Sequence, residues 1–288
     1  EFRRVLFRSN SLAATKKRIN SINTTKKITN AMKLVATAKL KTAKNKLGDN
    51  RRYVEELQAL LGDAMKSLES GSELDLNKFA KGDKTLFVVI TSSMGLCGGY
   101  NLSIYKKFIP LYQNGDEIEI IGDKGYSYLT FNGYKVNDSY INALTGFDYA
   151  VARKIGKDLL SRFKTGKYKK IVLVGTMFIN QLVFEPTVLT LFPFEATPGK
   201  GNTSNVEIEP SPEKIISTLI PQYINSVVYS LMLNSYVSEQ ASRRNAMENA
   251  TDNADELVED LKLEYNKARQ TSITQEITEV VSGANAVK

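Results

Sequence analysis

Residues 40–68 read LKTAKNKLGDNRRYVEELQALLGDAMKSL, and their apolar positions decide the fold. Leu40, Ala43, Leu47, Val54, Leu57, Leu61, Ala64 and Leu68 recur at steps of three, four or seven residues. That is the period of one helical face packed against another helix. No proline lies between Ser11 and Leu68, so the stretch is predicted to sit in a single long helix. Upstream, Ile28, Ala31, Val35 and Ala38 keep the spacing but are offset from it, which reads as a stutter that changes the supercoil locally.

The other end of the chain repeats the pattern. Met247, Ala250, Ala254, Leu257, Leu261, Tyr265 and Ala268 form a seam, and Ile273, Ile277, Val280 and Ala284 continue it with a shift. Ser211 followed by Pro212 is a helix start, with Ser as the cap and Pro at the first helical position. Pro221 is expected to kink this helix near its beginning.

Between the helices the period changes. Residues 86–91, 118–121, 171–174 and 183–191 are β-rich, and helical patterns near 102–112 and 149–163 alternate with them. A small α/β domain with a mostly parallel sheet is predicted, and because it returns the chain to where it left, the end helices are expected to form a long antiparallel coiled coil. The expected division is 10–70 for the first helix, 71–210 for the α/β domain and 211–288 for the last helix. Residues 1–9 lack an initiator Met and carry three Arg, and are set aside as a non-native scar, an Arg-rich transit peptide being the alternative.

Composition narrows the function. The 288 residues contain no His, so the commonest proton shuttle and metal ligand is missing. The single cysteine, Cys97, excludes an internal disulfide and a cysteine zinc cluster, and fits a reducing compartment. No apolar run approaches the roughly 20 residues of a membrane-spanning helix, so any membrane association is expected to be indirect. A formal net charge of +8 favours acidic partners. The charge is unevenly placed: residues 11–48 hold ten Lys or Arg and no acid, while residues 239–264 hold eight acids against three basic residues. Either the two helices attract each other, or the basic residues face acidic partner surfaces.

Ser93-Met94-Gly95-Leu96-Cys97-Gly98-Gly99 follows a predicted strand and precedes a helix, where phosphates often bind. It has neither the G-x-G-x-x-G spacing nor a Gly-Lys-Ser/Thr ending. The favoured reading is a tight turn whose glycines permit close packing and positive φ, with nucleotide binding as the alternative. With no His to activate it, Cys97 reads as a small buried residue. The acid pairs Asp255-Glu256 and Glu259-Asp260 lack a calcium loop and read as helix surface. The basic first helix has what nucleic-acid binding needs in charge but shows no compact reading motif.

Particular residues then point to a family. The first helix contains Arg18-Ile19-Asn20-Ser21-Ile22, Lys27-Ile28-Thr29-Asn30-Ala31-Met32-Lys33-Leu34-Val35-Ala36 and Ala38-Lys39-Leu40. The turn contains Gly95-Leu96-Cys97-Gly98-Gly99. The last helix contains Ser238-Glu239-Gln240-Ala241-Ser242-Arg243, Ala246-Met247, Ala250-Thr251-Asp252-Asn253-Ala254, Tyr265-Asn266-Lys267-Ala268-Arg269-Gln270 and Ile273-Thr274-Gln275-Glu276-Ile277. In order and content, over residues 11–288, these resemble the gamma subunits of F-type ATP synthases.

The resemblance implies a rotor shaft without a catalytic site or cofactor. Its partners would be a ring of alpha and beta subunits, an epsilon subunit and a membrane c-ring, on the cytoplasmic face of a bacterial plasma membrane. Met32, Glu239, Arg243, Arg269, Gln270 and Thr274 match positions of shaft-to-ring coupling, and Glu209 a foot position near the c-ring. Met32 is alternatively a seam residue, and Arg243 is expected to face outward. Two departures stand out: Met94 where the family usually has Arg, and Pro221 within a segment that is normally continuous helix.

Overall fold

A computed structural model describes residues 2–66, 76–144, 148–193 and 211–286. Glu209 therefore lies outside the described residues, which resume at Ser211. Helices α1 (Phe2–Lys66) and α5 (Pro212–Ala286) bracket an α/β module. Its elements are β1 (Lys84–Ile90), α2 (Tyr100–Phe108), β2 (Glu117–Ile121), α3 (Asp123–Phe131), β3 (Val136–Asn137), α4 (Tyr149–Lys164), β4 (Tyr168–Phe178) and β5 (Phe184–Phe192). Two compact units result, one from residues 1–35 with 244–288 and one from residues 36–243.

In the first unit, the facing positions of α1 and α5 fall and rise together in antiparallel order. The Lys26 ammonium pairs with the Asp255 carboxylate, the Thr29 and Thr251 hydroxyls lie 2.8 Å apart, and Lys33 lies 3.9 Å from Glu248. The charge split thus serves the first expectation at Lys26 and Lys33, which bind across the pair, while Lys16, Lys17, Lys27, Lys41, Lys44 and Lys46 are exposed.

The seam itself corrects the expected stutter. Burial along α1 falls on 22, 26, 29, 33, 36, 40, 43, 47, 50, 54, 57, 61 and 64, an unbroken alternation of four and three. Ile28 and Val35, assigned to an offset seam, are 56% and 55% exposed. Along α5 the same alternation selects 247, 251, 254, 258, 261, 265, 268, 272 and 275. Val258 is buried and its neighbour Leu257, expected in the seam, is exposed, as are Ile273, Ile277 and Val280. The physical reason is that small and hydrogen-bonded side chains such as Thr29, Ala36 and Thr251 hold the register, so a count of apolar residues alone follows the wrong stripe.

The second unit is built on a sheet of order β3-β2-β1-β4-β5, parallel except for β5, which runs antiparallel to β4. This is the predicted mostly parallel sheet. Central strand β1 is buried on both faces: Leu86, Val88 and Ile90 meet α4 and α5, while Phe87 and Val89 meet α2. A partly buried ion pair fixes α4 to β2, the Arg162 guanidinium donating to the buried Glu119 at 2.6 Å, while within α4 it also pairs with Asp158 at 2.9 Å. Within this unit Leu40 and Ala43 of α1 also pack on Leu233, Val237 and Ala241 of α5.

Helix α5 starts as read: the Lys214 amide donates to the Ser211 hydroxyl at 3.4 Å. Pro221 does not interrupt the helix. The proline removes one amide donor, and the turn is held by burial of Ile216, Ile220 and Ile224 against the sheet. The helix also holds an 18-residue window long and apolar enough, by composition, to cross a bilayer. The sequence reading missed this window; half of it is buried inside the fold, as in a core helix.

Candidate functional site

In an open parallel sheet, ligands bind outside the carboxyl ends of the strands, where neighbouring connections leave on opposite faces. Here that place lies at the ends of β1 and β4, beside the turn from Ser93 to Gly99. Thr91 and Ser92 continue β1 into the turn and are fully buried. The Thr91 hydroxyl donates to the Ile121 carbonyl at 3.0 Å and accepts from the Gly125 amide at 3.0 Å. The Asn101 side chain closes the turn from α2, accepting from the Ser92 amide at 3.0 Å and donating to the Ser92 hydroxyl at 2.7 Å.

The crevice is filled by the chain's own last helix. The Thr176 amide donates to the Ser235 hydroxyl at 3.0 Å, the Phe178 amide to the Asn234 side chain at 3.2 Å, and the Tyr100 hydroxyl to the Ser235 carbonyl at 3.0 Å. Burial pushes the Tyr100 hydroxyl pKa up, so it stays a donor. Gly175 makes the approach possible, since a Cβ there would stand 2.7 Å from the Ser235 hydroxyl and 2.9 Å from Leu231.

The next turn of α5 grips the glycine-containing loop. The Ser242 hydroxyl donates to the Cys97 carbonyl at 2.7 Å. The Arg243 guanidinium donates to the Met94 carbonyl at 3.0 Å and the Gly95 carbonyl at 3.3 Å, and pairs with the Glu239 carboxylate at 2.8 Å. Both members of the pair are over nine-tenths buried, Glu239 at 5% and Arg243 at 7% exposure. Burial raises the Glu239 pKa, and the Arg243 charge opposes this without cancelling it.

The loop's polarity is the reverse of a phosphate site. A phosphate loop turns amide N–H groups inward, whereas here the carbonyls of Met94, Gly95 and Cys97 converge on a cation and a hydroxyl. The tight-turn reading agrees with the structure: Gly98 has φ 57° and, unexpectedly, Leu96 has φ 59°, a left-handed conformation rare for a leucine. Cys97 is buried, as read.

The sequence-expected site residues separate into groups. Glu239 and Arg243 come together in this latch, so the expected outward-facing Arg243 is corrected: its charge is taken up by Glu239 and by loop carbonyls. Met32 is half-buried at the flank of the seam. Arg269, Gln270 and Thr274 are exposed on one face of α5, with Ile273 and Ile277 beside them. Sequence reasoning missed Ser235 and Ser242; their signal is a row of small residues, Ser235, Ser238 and Ser242, at steps of three and four on the buried part of α5.

In the second unit the crevice at the carboxyl ends of the strands is occupied by the chain's own helix α5, which defines an α/β module that packs a helix where an open sheet would offer a ligand site. Comparison with known proteins gives the family. A family model described as ATP synthase matches residues 11–287. The chain is 40% identical over 276 residues to an ATP synthase gamma chain of Mycoplasma capricolum, covering 96% of this chain and 98% of that one. It is 40% identical over 283 residues to the gamma chain of Halothermothrix orenii, covering 95% and 98%.

Among solved structures it is similar to a chain of the Tetrahymena thermophila mitochondrial ATP synthase central stalk/c-ring structure, at 28% identity and TM-score 0.54, over 77% of this chain and 99% of that one. A chain of the Euglena gracilis mitochondrial ATP synthase, 16% identical, shares the fold at TM-score 0.69 over 97% and 95%. The chain belongs to the ATP synthase gamma-chain family.

Proposed function

We propose that this chain is the central shaft of an ATP synthase, turning inside a ring of alpha and beta subunits and joined at its foot to an epsilon subunit and a membrane c-ring. Ion flow turns the c-ring and the shaft, and the shaft presents a different face to each catalytic subunit in turn, shifting it among states of different nucleotide affinity. The shaft itself supplies no catalytic group. Bacterial relatives support placement on the cytoplasmic face of the plasma membrane.

One observation carries this reading: a coiled coil whose seam is complete still leaves apolar and basic side chains on its outer face. Ile273, Ile277, Val280 and Val281 are exposed near the end of α5 with Arg269, Gln270 and Thr274, and Ile28, Leu34 and Val35 are exposed on α1. A face of this kind is costly to leave in water and is suited to a surrounding protein surface. In this reading Met32, Arg269, Gln270 and Thr274 meet the ring, and Glu209 meets the c-ring. In the second unit, Lys39 and Lys46 flank an open groove of 440 Å³ floored by Leu233 and Tyr236, which suits an acidic partner.

Reconstitution with alpha and beta subunits tests the proposal. A stable complex with ATPase activity that the chain alone lacks is expected. A chain that ignores those subunits and binds DNA with a steep salt dependence would replace the shaft by a nucleic-acid-binding coiled coil.

A further inference from the structure

The latch of α5 on the glycine-containing loop suggests a division of labour within the site. Leu96 occupies a left-handed conformation that a side chain disfavours, so the loop is held there by its contacts, Asn101 closing its start and α5 gripping its middle. Two grips bracket it. On one side, Arg243 holds the carbonyls of Met94 and Gly95; on the other, Ser242 holds the carbonyl of Cys97. Arg243 is itself held by Glu239, one turn earlier on the same helix. What the held loop offers outward is apolar, since Met94 and Leu96 are each 63% exposed. The guanidinium, by contrast, is almost fully covered and has its donors committed within the chain.

We propose that Arg243 is a positioning residue: anchored by Glu239, it holds residues 94–97 in the shape that presents Met94 and Leu96 to a partner surface, and contributes to coupling through that loop rather than by a contact of its own. This rests on the shaft reading for the word coupling, but the latch itself is a property of the chain. Lysine is a poor substitute, because a single ammonium lacks the planar fork that reaches two carbonyls and a carboxylate at once. The geometry also explains how Met94 is accepted at this position. The loop is held through its backbone carbonyls, so its placement does not depend on which side chain stands at 94.

Cys97 makes the latch measurable. It is the chain's single cysteine, ends the held segment with its side chain buried at 3% exposure, and its carbonyl is one of the gripped groups. Alkylation of the full-length chain with N-ethylmaleimide reports opening of the loop, because labelling of a buried group tracks the population of the open form. In Arg243→Lys, labelling is expected to accelerate by about tenfold or more at unchanged helix content, whereas Met94→Ala with Leu96→Ala is expected to keep Cys97 protected. In the complex with alpha and beta subunits and the membrane sector, both changes are expected to lower ion pumping per ATP hydrolysed. Combining them is expected to add nothing to the larger single loss, as for two changes in one unit.

Unchanged labelling in Arg243→Lys overturns the latch whatever the chain's function. Faster labelling with coupling lost in Arg243→Lys but intact in Met94→Ala with Leu96→Ala overturns the role of the loop and returns Arg243 to a direct contact. Failure of every variant and of the parent chain to join alpha and beta subunits overturns the shaft reading alone, leaving the labelling result to stand.

Discussion

The buried and exposed stretches of α5 are chemically similar helix put to opposite uses. Residues 224–243 are almost wholly buried, rich in serine and aliphatic side chains, and hydrogen-bonded into the crevice of a sheet. Residues 276–285 are exposed, yet carry Ile277, Val280 and Val281. The difference teaches that hydrophobicity alone does not tell a core segment from an outward one. What separates them is a row of small residues at steps of three and four that lets a backbone approach, present in the first stretch at Ser235, Ser238 and Ser242.

The comparison is broken most strongly at Leu231, which is 2% exposed and packs beside Gly175. Leu231→Ala is expected to cost about 3 kcal/mol through lost packing and a residual cavity, read from the urea midpoint. Next come two adjacent residues that distinguish the observed seam from the apolar count. Val258→Ala is expected to cost about 1–2 kcal/mol and Leu257→Ala less than about 0.5 kcal/mol, so equal losses at both would return the seam to the stripe through Leu257.

A pH dependence follows from Glu239. Its native pKa is raised by burial, so between its ordinary value of 4.5 and the raised one the native state holds a proton that the unfolded state has lost. Its contribution therefore makes stability fall as pH rises through that window. Glu239→Gln is expected to flatten this slope in urea titrations from the acid side to neutrality. A slope unchanged by the substitution would assign it to other groups. The smallest effect on the chain is expected from Ile273→Asp with Ile277→Asp. Both positions are exposed, so the urea midpoint should hold within about 0.5 kcal/mol, while ATPase activation in the complex falls. A large loss of stability would show that this face is covered within the chain.

Most of the architecture was legible because it is periodic. The heptads of α1 beyond Leu40, the strands around Leu86–Ile90 and Ile118–Ile121, and the cap at Ser211 all express local chemistry. Helix α3 was not legible: it contains Gly125, Thr130 and several aromatics, poor helix formers. Gly125 is there because a Cβ would come within 2.4 Å of the Thr91 hydroxyl, a tertiary demand invisible to local propensity. Strand β3 has only two residues, too short for any alternation to register. In the candidate site, the glycine-containing turn was visible as a turn. Its grip by Arg243 was not, because residues 95 and 243 are joined by the fold and no spacing rule connects them.

The central claim is that this chain transmits rotation, and the most direct test watches it turn. With the alpha–beta ring fixed to a surface and a bead attached through a cysteine introduced on the exposed α/β module at Phe131, 90% exposed in the chain, ATP is expected to drive continuous rotation in one direction that ceases when ATP is withdrawn. ATP hydrolysis by the same complex with a bead that only fluctuates about one angle would contradict the account.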